Sequence, residues 1–195
     1  MKFLFALCTS VLLCVNALAL QESDISSFMK SNIDQTTGIL KNNQLSRVDK
    51  SSKIYALFDP IFDYSLMAKL TLGTPQWNAL SPEKQHEFTK LFENRLKASY
   101  MEKLELYTDE KIAIKNVEKI KDTRIHLTTH LMKNSDVYEI IYKFYKDSAN
   151  EWKIYDVDII GVSIVQTYRT QFADILAKES FEKLIERLKE PESSK

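Results

Sequence analysis

Cysteine is close to missing from this chain. Its 195 residues include two, Cys8 and Cys14, and both lie inside one apolar stretch at the N-terminus. Beyond that stretch no thiol is left to form a disulfide, to hold a metal as thiolate or to act as a nucleophile, so stability has to come from packing. Glycine is scarce too, at three residues, which disfavours loops that cradle phosphates. Neither sign of charge dominates: 27 Lys and Arg stand against 27 Asp and Glu. Such a balance argues against nucleic acid or an anionic membrane surface as the principal partner. Long apolar runs are also lacking, and the N-terminal one is too short and too soon followed by polar residues for a stop-transfer helix. There is no GxSxG, CxxC or EF-hand pattern and no internal repeat.

What is present begins with a processing signal. Lys2 supplies a short basic region, Phe3 to Val15 an apolar core, and Ala17-Leu18-Ala19 a small-x-small cleavage box. Leu13 is bulky where a lipoprotein site before Cys14 needs a small residue. The expectation is cleavage after Ala19 and a soluble exported chain, with one domain over residues 20–190 and a polar tail at 191–195. Export removes only Lys2 among the charged residues and both cysteines.

Two hydrophobic periods divide the rest. Apolar residues at helical spacing predict helices over Glu22–Asn43, Ser46–Phe58, Tyr64–Leu72 and from Pro82 to about Tyr107, with Trp77 in a brief loop. Ser81 before Pro82 reads as an N-cap, and Gly73 as a C′ glycine. From Glu110 the period becomes two, in four runs separated by short breaks at Lys121-Asp122, Asn134-Ser135 and Ser148-Ala149-Asn150. The stretch Glu151 to Phe172 then joins a strand to a helix: Tyr155, Val157 and Ile159 alternate with Asp156 and Asp158, Gly161 marks a sharp turn, and Ser163 with Gln166 forms a capping box. A last helix is expected around Phe181 to Leu188. The fold class predicted is α+β, a four-stranded antiparallel meander with helices packed over one face.

Candidate chemistry is thin. His126 and His130 share the polar face of one strand, without a third ligand or clustered acid, and read as solvated surface. Asp156 and Asp158, about 7 Å apart by strand rise, alternate with the apolar row and should point away from any cavity; pairing of Asp156 with Arg169 or plain exposure accounts for them. The remaining signal is aromatic: nine Tyr and ten Phe, many on the inward rows. Tyr142, Tyr155 and Tyr168 bring hydroxyls to apolar faces, where they need a partner or a wet opening. Tyrosines at the mouth of an apolar cavity would meet that need.

Several separated blocks carry a resemblance. Phe58-Asp59-Pro60-Ile61-Phe62-Asp63-Tyr64-Ser65-Leu66-Met67-Ala68 resembles the DPxFDFxxMA block of the MlaC family, periplasmic phospholipid-binding proteins also called toluene-tolerance or Ttg2-type components. Leu72-Gly73, Trp77, Ser81-Pro82-Glu83, Phe88, Leu91-Phe92, Tyr100, Trp152 to Val157, Gly161-Val162-Ser163 and Tyr168 to Phe172 agree in order, over roughly residues 22 to 190. Ile160 stands where the family usually has Glu, and Thr167 where Asn is common. The resemblance implies a cone-shaped, nuclear-transport-factor-like fold around an apolar cavity, and no catalysis. It implies a periplasmic carrier moving phospholipid between an outer-membrane lipoprotein or porin complex and an inner-membrane ABC transporter complex. The cargo is phospholipid with its acyl chains buried; no cofactor or metal is implied, and a monomer is expected.

The expected wall is Leu66, Leu70, Phe88, Phe92 and Tyr100 from the helices, Leu127, Ile140, Tyr142, Phe144, Tyr155 and Val157 from the strands, and Val165, Tyr168 and Phe172 from the capped helix. Arg169 is the candidate for a lipid phosphate at the rim. Two other readings use the same fold: a chaperone or adaptor holding apolar peptide, and a pocket enzyme working through Asp156 or Asp158.

Overall fold

The computed structural model describes residues 20–104 and 110–190, with the side chains of residues 100 and 102–104 excepted. The expected leader, the expected tail and the end of the longest expected helix lie outside the described residues. After a 3-10 turn at Glu22–Asp24 come helices α1 (Ile25–Lys41), α2 (Arg47–Phe58), α3 (Tyr64–Leu72), α4 (Thr74–Asn78) and α5 (Pro82–Leu104). Strands β1 (Lys111–Lys121), β2 (Arg124–Lys133), β3 (Asp136–Lys146), β4 (Trp152–Ile159) and β5 (Val162–Ser163) follow, then helices α6 (Ile164–Leu176) and α7 (Phe181–Lys189).

Serines cap several of the helix starts, Ser81 and Ser163 as the sequence predicts, Ser81 Oγ accepting from the Lys84 amide at 3.4 Å. Ser46 Oγ accepts from the Asp49 amide at 3.1 Å, Ser163 Oγ from Gln166 at 3.0 Å and Ser180 Oγ from Lys183 at 3.4 Å. Trp77 is not in a loop. Gly73 takes φ +77°, ends α3, and lets the chain restart at once as α4, with Pro75 in its first turn and Trp77 buried.

The sheet runs β1-β2-β3-β4-β5 and is antiparallel throughout. The expected four-strand meander is there; the fifth strand is two residues long. Ile160 and Gly161 both adopt positive φ, 53° and 74°, and reverse the chain so tightly that Val162 and Ser163 pair back onto β4 before α6 begins. The other half of β4's edge is covered by the chain between α2 and α3. There the Ile154 amide donates to the Ile61 carbonyl at 2.7 Å, and the Asp63 amide to the Ile154 carbonyl at 2.9 Å. At the far side, β1 carries Lys111, Lys115, Lys119 and Lys121, all exposed.

Two solid cores result. One lies among α3 to α7 and holds Met67, Trp77, Phe88, Phe92, Val165, Phe172 and Leu184. The other lies between the sheet and α1, with Ile25, Met29, Ile61, Leu127, Phe144, Trp152, Ile154 and Val157. The inward rows of β2 and β3 follow the alternation. On β4 they do not: the register slips between Lys143 and Phe144, so Phe144 opposes Ile154 while Tyr142 opposes Val157. Ile154 and Val157 both point in, and Tyr155 points out.

Candidate functional site

Between the two cores the structure leaves a hollow of about 170 Å³. Ile33 and Thr36 of α1, Ile54, Tyr55 and Phe58 of α2, and Leu96, Lys97 and Met101 of α5 form its helical walls. Ile112, Leu131, Ile140, Tyr142, Val157 and Ile159 form its floor, one or two residues from each long strand. Phe62 and Tyr64 close one end. A second, more polar cleft of about 480 Å³ runs between α1 and β1 and shares Ile33 and Ile112 with the first.

The polar side chains on the apolar hollow sort into two groups. At the rim, Lys97 Nζ lies 2.7 Å from Asp59 Oδ2 and 2.6 Å from Glu93 Oε1, and 5.0 and 5.2 Å from the ring centres of Tyr64 and Tyr55. The Tyr55 hydroxyl donates to the Lys97 carbonyl at 3.0 Å, and the Tyr64 hydroxyl to Asp59 Oδ1 at 2.9 Å. Burial opposes the charge on Lys97, but the hydrogen bonds it donates to the two carboxylates prevail and raise its pKa. Burial, and then the Asp59 charge, push the Tyr64 phenol well above its ordinary range. Inside, Thr36 Oγ1 is buried with no hydrogen-bond partner among the described residues. Tyr142 has none either, and burial alone pushes its phenol up to about 12.

Of the thirteen expected wall residues whose side chains are described, three line this hollow: Ile140, Tyr142 and Val157. Leu127 and Phe144 are packed in the sheet-side core next to it. Phe88, Phe92, Val165 and Phe172, with Leu70 and Tyr168 against them, fill the helical core, where Phe92 meets Tyr168 edge-on at 5.3 Å. Leu66 is half-buried on α3 and does not reach the hollow. The Tyr100 side chain lies outside those described. Tyr155, turned out by the register slip, meets Tyr145 edge-on, and the Arg124 guanidinium lies 5.3 Å from its ring centre.

Arg169 is not at the rim: it is exposed on α6, where a Cβ on Gly73 would come within 3.8 Å of its guanidinium. Nor does it pair with Asp156. That carboxylate, 5 % exposed, meets Lys143 Nζ at 3.1 Å, accepts from Ser163 Oγ at 2.7 Å and from the Val165 amide at 3.1 Å, and so caps α6. Asp158 meets the same Lys143 at 2.6 Å. Both acids therefore lie off the cavity, in structural pairings, and the pocket-enzyme reading loses its acid. The α1–α2 side of the cavity had escaped sequence reading. The signal was there in Ile33 and Thr36 on one helical stripe, but α2 shows only a weak apolar face and Lys97 reads as surface.

The chain thus forms an α+β domain with an apolar hollow between a meander sheet and a helical cover. The sequence model of the MlaC family, described as MlaC protein, matches residues 30–190. The chain belongs to the MlaC family. A curated relative, the intermembrane phospholipid transport system binding protein MlaC of Haemophilus influenzae, is 26% identical over 121 residues, 60% of this chain and 56% of the relative. The match thus spans little more than half the relative's length. Among solved structures, the phospholipid-binding protein of Ralstonia solanacearum, in complex with a phospholipid, superposes with a TM-score of 0.72 at 24% identity, over 84% of this chain and 93% of that one. It shares the fold.

Proposed function

We propose that this protein is a non-enzymatic phospholipid carrier of the periplasm, exported by a cleavable leader. It takes lipid from one membrane's complex and delivers it to the other's: an outer-membrane lipoprotein or porin complex and an inner-membrane ABC transporter complex. The observation that carries this reading is the apolar hollow itself. Exposing a ~15-methylene chain to water costs on the order of 12 kcal/mol at ~0.8 kcal/mol per methylene, and a carrier must cancel that cost without fixing its cargo. A hollow of about 170 Å³ is smaller than the ~300–1,000 Å³ of ordinary ligand pockets. Loading therefore moves a wall, and the cleft between α1 and β1, which shares Ile33 and Ile112 with the hollow, offers the room.

Native mass spectrometry of the purified mature protein is expected to show co-purifying phospholipid; protein that is empty in every preparation would overturn the reading. Ile140→Trp, which fills the hollow, is expected to abolish loading and leave the fold intact. Phe92→Ala, in the helical core, is expected to cost about 3–5 kcal/mol of stability while each folded molecule still loads.

A further inference from the structure

We propose that the hydroxyls of Thr36 and Tyr142 are donors for the ester carbonyl oxygens of the cargo, so that the lipid is drawn in as far as its glycerol ester linkages and not by its tails alone. This rests on the carrier reading.

Thr36 is 6 % exposed and its Oγ1 has no partner among the described residues. A helical threonine has an easy alternative: it can donate to a carbonyl one turn back. Thr71 on α3 and Thr167 and Thr170 on α6 all do so, at 2.7, 2.8 and 3.1 Å. Thr36 forgoes that bond and keeps a free donor against the hollow. Across it, the Tyr142 hydroxyl is likewise without a protein partner among the described residues. Tyr55, Tyr64 and Lys97, the other polar side chains on the lining, are all engaged with one another or with Asp59 and Glu93 at the rim. A buried donor left unmatched destabilises a fold, so Thr36, with the half-buried Tyr142 hydroxyl unpartnered on the same apolar hollow, points to an acceptor that arrives with the ligand.

The chemistry of that acceptor is narrow. Hydrocarbon offers none. A phosphate brings charge, which an apolar hollow with no free cation among the described residues disfavours. The ester carbonyl is the group of a phospholipid that is both uncharged and a strong acceptor.

The test offers delipidated protein vesicles of equal parts diacyl and dialkyl-ether phosphatidylethanolamine of matched chain length, and reads the bound lipids by native mass spectrometry. The wild type is expected to take the ester lipid in roughly tenfold excess, the worth of one or two hydrogen bonds. In the Thr36→Val, Tyr142→Phe double variant the ratio is expected to fall to one or invert, since an ester carbonyl then enters the hollow unpaired. Thr36→Val is also expected to raise the melting temperature of the empty protein, because it removes an unmatched hydroxyl. Equal loading of the two lipids by the wild type, or an excess that survives in the double variant, overturns the inference and leaves the carrier standing. If neither lipid loads, the carrier reading fails with it.

Discussion

At the scale of single residues, the outer face of the sheet has a pH response of its own. His126 sits there near Lys143 and the two acids that Lys143 holds. Burial first, and then the Lys143 ammonium, lower its pKa below the ordinary 6.5. The unfolded chain therefore binds this proton more readily than the fold does. The contribution is fully present above 6.5 and declines as pH falls from there toward the depressed value. His126→Gln is expected to flatten the dependence of melting temperature on pH just below 6.5; an unchanged slope would place the acid sensitivity elsewhere. Other residues show why the site was only partly legible. Phe88, Phe92 and Phe172 fill solid core while Ile140 and Val157 border a hollow, yet both sets obey the same periodicities. Alternation gives the side of a strand that faces in, and no local rule says whether neighbours will fill the space opposite. Tyr155 was misplaced for a different reason: a register slip reverses every assignment beyond it, and nothing in Trp152–Ile159 announces one.

Among the elements, legibility followed local chemistry. Helices with a serine cap and strands bounded by short polar breaks emerged near their true limits, because each depends on neighbours in sequence. Helix α4 and strand β5 did not, since five residues and two residues carry no period. Helix α2 is the instructive case. Its single buried residue is Ile54, and its C-terminal half is held by the Asn32 side-chain amide of α1, which donates to the Leu57 carbonyl at 2.8 Å, and by the polar cluster in which Lys97 bridges Asp59 and Glu93 beneath the rings of Tyr55 and Tyr64. Lys97→Met keeps the apolar stem and removes the charge. It is expected to weaken the hold on α2 by about 1 kcal/mol, seen as a roughly fivefold rise in amide exchange over residues 47–58. Exchange unchanged in α2, or raised equally in α5 and the sheet, would show that the cluster does not fasten this helix.

For the whole molecule, the sheet's two edges are treated differently. The β4 edge is sealed by β5 and by the Ile61–Asp63 chain, whereas β1 is open and carries four lysines in eleven residues. Two such edges meeting antiparallel would oppose like charges, which discourages pairing between copies. Lys115→Thr with Lys119→Thr is expected to produce concentration-dependent dimers in sedimentation, where the parent chain stays monomeric; a parent that already dimerises would assign these lysines another role. The thin attachment of α2 bears on traffic as well. For the carrier proposed above, a cover held by one buried apolar side chain would lift without fuel, so uptake and discharge would run near equilibrium and either way. On that reading net flow would be dictated by the membranes at the two termini of the journey, with the protein setting only how fast the exchange can go.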